Sequence, residues 1–209
     1  MRRGDKTPAN RSRAFTLVEL LTVVSIVALL AALLQPAIAG ARRDALKSAC
    51  QSNLHQVGLA FRLYGADWDD RYPCAIDIFA RESSESRSDY PGPIEHIPDM
   101  VATLSAYTGG RGAVWRCPAD TLPFSTALFG DPTPRTYASS HAFAGTSYLF
   151  DELHYFGKSQ SETNVFQIRL CSDAGTWHSE YPEPSFFVKA RNVLFMDGHV
   201  RFASMNDRS

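Results

Sequence analysis

The fold is decided by a short stretch near the N-terminus, Arg13-Ala14-Phe15-Thr16-Leu17-Val18-Glu19-Leu20-Leu21. Basic side chains outnumber the single acidic one, Asp5, in residues 1–14, and residues 20–41 carry no charged side chain. About 20 apolar residues are enough to span the hydrocarbon core of a membrane. The stretch therefore predicts a membrane helix, and the basic residues before it predict a cytoplasmic N-terminus.

Glu19 is the unusual residue of this apolar run. A charged side chain inside a membrane costs about 3 kcal/mol, so such a residue is a candidate for function. The alternative is a signal anchor that carries a glutamate near its cytoplasmic end. Pro36 lies later in the run and predicts a kink, because proline lacks the backbone N–H and crowds the preceding turn.

A secretory signal peptide is a second interpretation of the same run. Ala37-Ile38-Ala39 resembles a signal peptidase site, and cleavage there predicts an exported soluble binding domain. The apolar run is longer than the roughly 7 to 15 residues of a signal peptide, and Glu19 has no role in one. The membrane anchor is therefore the favoured interpretation.

The helix is predicted to continue beyond the apolar run as an amphipathic segment. Its apolar residues recur at steps of three and four, which is the period of a helix with one buried face: Leu46, Cys50, Leu54, Val57, Phe61 and Tyr64. Gly65 and the acidic cluster that follows predict its end.

The fold class predicted for the chain is α+β, with a long N-terminal helix packed on a small antiparallel sheet. The predicted division is a cytoplasmic leader at 1–14, a transmembrane helix at 15–38, an amphipathic helix at 39–66 and a globular domain at 67–209. A short helix is expected at 98–107. Strands are expected at four places: 147–150, 165–171, 193–196 and 199–203.

The last two strands are predicted to form a hairpin. Asp197-Gly198 is typical of a two-residue type I′ turn, which places Met196 opposite His199. That register puts four apolar side chains on one face, which is expected to pack on the helix: Val193, Phe195, Val200 and Phe202.

The chain contains four cysteines: Cys50, Cys74, Cys117 and Cys171. In an exported domain this count permits two disulfides, and buried thiols are the alternative. If a bridge forms, we expect it between Cys50 and Cys117. The reason is that Cys117 lies in a Trp115-Arg116-Cys117-Pro118 turn that is expected to contact the helix.

The segment from Ala14 to Leu21 resembles the cleavage and methylation signature of type IV prepilins and type II secretion pseudopilins. The resemblance implies that a prepilin peptidase cuts between Ala14 and Phe15 and methylates the new amine of Phe15. Glu19 and Pro36 match the family's carboxylate and its kinking proline, whereas Ala14 stands where most members have glycine.

The resemblance also implies a structural subunit of a type II secretion or type IV pilus-like filament, and no enzyme. Its implied partners are the peptidase, other pilin or pseudopilin subunits and an inner-membrane assembly platform, with no nucleic acid. The protein would span the inner membrane once, with a periplasmic C-terminal domain. Within a filament, Glu19 would pair with the Phe15 amine of a neighbouring subunit, which offsets part of the cost of burying both charges.

A second resemblance covers parts of the globular region, including residues 50–60, Arg116-Cys117-Pro118 and residues 192–200. These segments are similar to a large subfamily of pseudopilin-like proteins described by a histidine, nine residues and Asp-Gly. Phe187 occupies the histidine position before Asp197, and His178 is the candidate for a displaced counterpart.

The sequence offers two candidate metal sites. The first combines oxygen and nitrogen ligands from Asp173, His178, Asp197 and His199. Such a site would suit a membrane-anchored hydrolase, although no HExxH, GxSxG or P-loop motif is present. The other is a calcium site formed by Asp67, Asp69 and Asp70. It is suggested by major pseudopilins that resemble this chain and can bind calcium in their C-terminal loops. Helix termination explains these three aspartates equally well.

Overall fold

The computed structural model describes residues 16–76, 81, 96–129, 133–150, 157–161, 169–175, 178 and 191–203. The chain divides into two compact units, Met1–Arg42 and Arg43–Ser209. One long helix, α1 (Leu17–Asp67), contributes residues to both units. The predicted division of the chain at 14/15, 38/39 and 66/67 stays a prediction.

The described part of the first unit is the N-terminal portion of α1. Its large apolar side chains are all at least 53% exposed, from Leu17 at 80% to Ile38 at 63%. A helix that is apolar on all sides needs an apolar environment around it. Among the described residues, α1 is the one helix long and apolar enough to cross a membrane. Pro36 lies inside it, and the kink there stays a prediction.

In the second unit, α1 buries one face against the rest of the domain. The buried residues confirm the predicted stripe from Cys50 to Phe61 and add small residues to it: Cys50, Leu54, Val57, Gly58, Ala60, Phe61 and Gly65. Beyond the helix end, the amide of Asp70 donates to the carbonyl of Gly65 at 2.8 Å. Asp69 and Asp70 both adopt positive φ, at 50° and 58°, which turns the chain away from the helix axis.

The main sheet has four antiparallel strands in chain order, which confirms the α+β class. They are β3 (Tyr148–Phe150), β4 (Arg169–Asp173), β5 (Arg191–Phe195) and β6 (Val200–Ala203). All four predicted strands therefore exist, although residues 165–168 of the second lie outside the described residues. A bulge between Arg169 and Cys171 interrupts the pairing of β4 with β5.

Smaller elements complete the described domain. Helix α2 (Met100–Leu104) is capped by Asp99, runs into a 3₁₀ turn at Ser105–Tyr107 and occupies the short helix predicted at 98–107. Strands β1 (Phe124–Ser125) and β2 (Thr136–Tyr137) form a separate pair. The remaining elements are helix α3 (Ser140–Ala144), capped by Ser139, and 3₁₀ turns at Ala113–Trp115 and Thr126–Phe129.

The predicted register of the C-terminal hairpin is wrong by one residue. Leu194 pairs with Val200, and the amide of Phe195 donates to the carbonyl of His199 at 2.9 Å. The loop therefore has three residues, and Gly198 closes it with φ at 89° and a hydrogen bond to the Phe195 carbonyl. A three-residue loop of this kind uses a left-handed glycine at its third position, so Asp-Gly suits it as well as the two-residue turn.

This shift of one residue moves the side chains of β5 to the opposite face relative to those of β6. Leu194 is the side chain that meets the helix: a Cβ atom on Gly58 would lie 3.0 Å from its Cδ1 atom. Val193 and Phe195, predicted to pack on the helix stripe, instead form a small separate cluster with Ala203. Phe202 also lies on the Leu194 face, beneath the Lys47 ammonium group. The absence of a side chain at Gly58 makes room for Leu194, which decides which face of β5 packs on the helix.

Candidate functional site

The first candidate site is the start of α1, where Thr16 and Glu19 bond to each other. The Glu19 carboxylate accepts from the Thr16 backbone N–H at 3.0 Å and from its hydroxyl at 2.9 Å. The Glu19 amide donates in return to the Thr16 hydroxyl at 3.2 Å. This reciprocal arrangement is a capping box, which satisfies two amides that a helix start leaves without partners. The sequence interpretation missed it, although Thr-x-x-Glu is its signature.

The predicted cleavage and methylation residues, Ala14 and Phe15, lie outside the described residues. Their roles stay predictions, as does the pairing of Glu19 with a neighbouring amine. The described neighbourhood begins at Thr16 and continues into the exposed apolar part of α1.

The second candidate site is a row of buried polar residues across the main sheet: Tyr148, Asp173 and Asn192, each 0% exposed. Tyr148 and Asp173 are register partners on β3 and β4. The backbone N–H of Asn192 in β5 donates to Asp173 Oδ2 at 3.0 Å. The other carboxylate oxygen, Asp173 Oδ1, makes no hydrogen bond of normal geometry. On the other side, Gln51 of α1 donates to the Asn192 side chain at 3.1 Å, so the polar row faces the helix.

A disulfide and a histidine adjoin this row. Cys50 of α1 is bonded to Cys117, and both residues are fully buried. His178 Nε2 lies 3.3 Å from Cys117 Sγ and 3.7 Å from Asp173 Oδ2. The sequence suggests His178 as the displaced counterpart of the histidine before Asp-Gly. In the structure its imidazole lies against Cys117 of the disulfide and against Asp173.

The protonation of this cluster is governed by burial. Burial raises the pKa of Asp173 to about 7, although the Asn192 hydrogen bond and the charge of Arg191 oppose the shift. Burial, together with the nearby charge of Lys47, lowers the pKa of His178 to about 4. At neutral pH the imidazole is therefore uncharged, so its approach to Asp173 is a polar contact rather than an ion pair.

Arg191 supplies a buried cation beside Asp173. It is 2% exposed, and its guanidinium donates to the Asp173 carbonyl at 3.1 Å and to the Ser172 hydroxyl at 3.3 Å. Burial lowers the pKa of Arg191, and the nearby Asp173 carboxylate opposes this. The sequence interpretation missed Arg191, because its partners come from β4 and only strand pairing reveals them.

Asp197 and His199 lie in the hairpin turn and bond to each other. Asp197 Oδ1 contacts the His199 ring and accepts from the His199 amide at 2.9 Å. Arg62 of α1 donates to the Asp197 carbonyl, and the His199 ring stacks on Phe195 with centroids 4.2 Å apart. The four residues considered as one metal site thus occupy two separate contact groups, Asp173 with His178 and Asp197 with His199.

Two of the aspartates proposed for calcium make separate contacts at the end of α1 and just beyond it. Asp67 Oδ2 accepts from the Tyr107 hydroxyl at 3.0 Å. Asp70 Oδ2 accepts from the Ser159 hydroxyl at 2.9 Å and from the Ser161 amide at 3.0 Å. Both contacts tie the helix end to other loops. Calcium binding here stays a prediction, and unchanged thermal stability after chelation would contradict it.

Comparison with known proteins identifies the N-terminal segment. Residues 9–34 match the family described as the prokaryotic N-terminal methylation motif. The chain matches no curated protein and no solved structure. The match includes Thr16, Glu19 and most of the exposed apolar run, and it is consistent with the type IV pilin-like and pseudopilin family. The motif supports a processed, pilin-like subunit, and the single apolar helix is consistent with a single-pass membrane anchor.

Proposed function

We propose that this chain is a pseudopilin or minor pilin, a structural subunit of a type II secretion or type IV pilus-like filament. A prepilin peptidase removes residues 1–14 and methylates the amine of Phe15. The processed chain is anchored in the inner membrane, with its C-terminal domain in the periplasm. An assembly platform then moves it into the filament. The observation that carries the proposal is the methylation motif at 9–34, which includes the start of a helix whose large apolar side chains are exposed.

The uncovered helix supports assembly with other copies. Large apolar side chains on every side of the first unit are stable in lipid or against other apolar helices. A filament built from such helices exchanges lipid contacts for subunit contacts. Glu19, the one carboxylate in residues 15–42, would then meet the charged amine that cleavage creates on a neighbouring Phe15.

The fixed connection between helix and sheet supports a mechanical role for the second unit. Three parts of α1 contact the hairpin: Gln51 bonds to Asn192, Gly58 admits Leu194, and Arg62 bonds to the Asp197 carbonyl. The Cys50–Cys117 bridge adds a covalent link between the helix and a loop. A pull on α1 would therefore be transmitted directly to the domain, as a filament subunit requires.

Cleavage in the presence of a prepilin peptidase tests the proposal. The full chain, expressed in membranes with an active peptidase, is expected to lose its leader, and with an inactive peptidase to keep it. Ala14→Gly restores the family's usual residue and should be cut at least as fast. Ala14→Lys should block the cut, because a long charged side chain replaces a small one.

Two outcomes would contradict the proposal. Loss of the leader that does not depend on the peptidase, with a new N-terminus at Gly40, would indicate an exported domain cut after Ala39. Hydrolytic activity that is lost in both His178→Ala and Asp197→Asn variants would indicate a membrane-anchored hydrolase.

A further inference from the structure

The cluster around the Cys50–Cys117 bridge is not explained by a role in filaments. Its polar side chains are almost completely buried: Cys50, Cys117 and Asp173 are 0% exposed, and the His178 side chain is 2% exposed. A buried disulfide needs neither an imidazole nor a carboxylate beside it. Asp173 Oδ1 in addition makes no hydrogen bond of normal geometry. Burying such an oxygen is costly unless a partner satisfies it.

The arrangement of the donor atoms resembles a small metal-binding shell. The ligand atoms of Cys50, Cys117 and His178 all lie within 4.8 Å of one another. Zinc bonds of about 2.3 Å to sulfur and about 2.0 Å to nitrogen or oxygen place tetrahedral ligand atoms roughly 3.3 to 3.8 Å apart. His178 Nε2 lies 3.3 Å from Cys117 Sγ and 3.7 Å from Asp173 Oδ2.

We propose that the dithiol form of this chain binds one Zn²⁺ ion through the clustered Cys50, Cys117 and His178. Asp173, which lies 3.7 Å from His178, would complete the shell as the fourth ligand when the bridge opens. The disulfide is the metal-free form of the same site. When the bond between the two sulfurs is broken, they are free to separate to the roughly 3.8 Å of a tetrahedral site. Binding releases the two thiol protons, and oxidation of the metal-free dithiol releases two protons and two electrons.

The surroundings fit zinc better than a hard cation. Two thiolates and an imidazole are the ligands that zinc prefers, whereas calcium and magnesium select oxygen. The shell would carry a net charge of about −1 with Zn²⁺ bound, from two thiolates and one carboxylate. Arg191 lies beside Asp173, and Lys47 is close enough to affect His178, so two cations face this charge.

The groups that would orient Asp173 toward the metal are already in place. The backbone N–H of Asn192 donates to Asp173 Oδ2 at 3.0 Å. The Arg191 guanidinium donates to the backbone carbonyl of Asp173 at 3.1 Å. Such outer contacts orient ligands toward a metal. The newly made chain is a dithiol before any oxidant reaches it, so the zinc form needs no reductant in the cell.

The test uses the full-length chain in detergent, carrying Cys74→Ser and Cys171→Ala so that only the two relevant cysteines remain. A phosphine reduces the bridge, taking the oxygen of one water to become the phosphine oxide and leaving two thiols. Cobalt(II) is then titrated as a spectroscopic probe, followed by zinc. We expect one cobalt per chain, a thiolate-to-cobalt charge-transfer band, tetrahedral d–d bands, and displacement by one equivalent of zinc.

Ligand variants separate this site from adventitious binding. His178→Ala and Asp173→Ala should each weaken cobalt binding at least tenfold, and His178→Cys should restore it because it supplies another thiolate. Circular dichroism of each variant in its oxidised form verifies that it folds. The proposal is overturned if the reduced parent shows no charge-transfer band, or if His178→Ala, folded, binds cobalt as tightly as the parent. Binding by the oxidised parent at the same level would also overturn it.

Discussion

Glu19 accepts two hydrogen bonds from Thr16, from the backbone N–H at 3.0 Å and from the hydroxyl at 2.9 Å. The pair gives Glu19 a local role, because a capping box stabilises a helix start without any neighbour. It also keeps the carboxylate beside the position where cleavage would create the charged amine. The cap and the intersubunit charge pair are therefore separate roles for one residue, and variants can distinguish them.

Glu19→Gln and Glu19→Ala should both reduce filament assembly strongly, because neither carries the charge that meets the Phe15 amine. Glutamine keeps an oxygen that accepts from Thr16, so it retains the cap. Thr16→Val removes the hydroxyl contacts but keeps the charge, and it should assemble close to the wild-type level. The measurement is the yield of filaments crosslinked in cells. Wild-type assembly of Glu19→Ala would show that the charge pair is not needed.

The Cys50–Cys117 bridge should contribute much of the stability of the second unit. The two cysteines are 67 residues apart in sequence, and closing a loop of this size in the unfolded chain is worth about 4 kcal/mol. The double variant Cys50→Ala, Cys117→Ala is expected to lose an amount of this order in chemical denaturation, with chelator present. Cys74→Ala, at an exposed position, is the control and should change little. An unchanged midpoint in the double variant would argue against the bridge.

The contact between Gly58 and Leu194 fixes which face of the hairpin meets the helix. Gly58→Leu should destabilise the domain by about 1 to 3 kcal/mol, because the new side chain overlaps Leu194. Leu194→Ala should cost about 2 to 5 kcal/mol alone. Combined, the two changes should cost less than their sum, since each makes room for the other.

Val193→Ala is the matched control for this double-mutant cycle. Val193 lies on the opposite face of β5, so its effect should add to that of Gly58→Leu within about 0.5 kcal/mol. Coupling between Gly58 and Val193, with additivity between Gly58 and Leu194, would contradict the observed register. It would support the register predicted from the sequence instead.

Asp70 should hold the loop at 157–161 against the helix end. Asp70→Asn tolerates the positive φ of 58° but loses the charge that binds Ser159 and Ser161. Hydrogen exchange at the Ser161 amide should accelerate, whereas Asp69→Asn, at the neighbouring left-handed position, should leave it unchanged. Equal exchange in both variants would contradict the role of Asp70.

The same contact predicts a direction for the pH dependence. Hydrogen bonds from Ser159 and Ser161 lower the pKa of Asp70 below its ordinary value of 3.8. The stabilisation is therefore complete above that value and is lost as pH falls through the lower pKa of the folded state. Protection of Ser161, corrected for the intrinsic exchange rate, should decrease only in acid.

Local sequence patterns were sufficient for much of this fold. The step of three and four residues located the buried stripe of α1, because helix periodicity is written directly in the sequence. Asp-Gly located the hairpin but not its register. A two-residue and a three-residue loop both favour glycine at position 198, and Met196 is apolar like a strand residue, so the sequence does not show that it lies in the loop. The overlooked signal was Gly58, a residue without a side chain in the middle of an apolar stripe.

The buried cluster depends on contacts between distant segments. Asp173 meets Arg191 and Asn192 through strand pairing, and His178 approaches Cys117 from another part of the chain. No spacing in the sequence indicates these neighbours. Thr16 differs from them, because its partner is three residues away and the Thr-x-x-Glu pattern predicts the pair.

If the proposed function is right, the mature protein begins at Phe15. Mass spectrometry of the chain purified from membranes of cells that contain a prepilin peptidase tests it most directly. We expect an N-terminal peptide that starts at Phe15 and carries one methyl group on its amine. A peptide that starts at Gly40, or one that still contains residues 1–14, would contradict it.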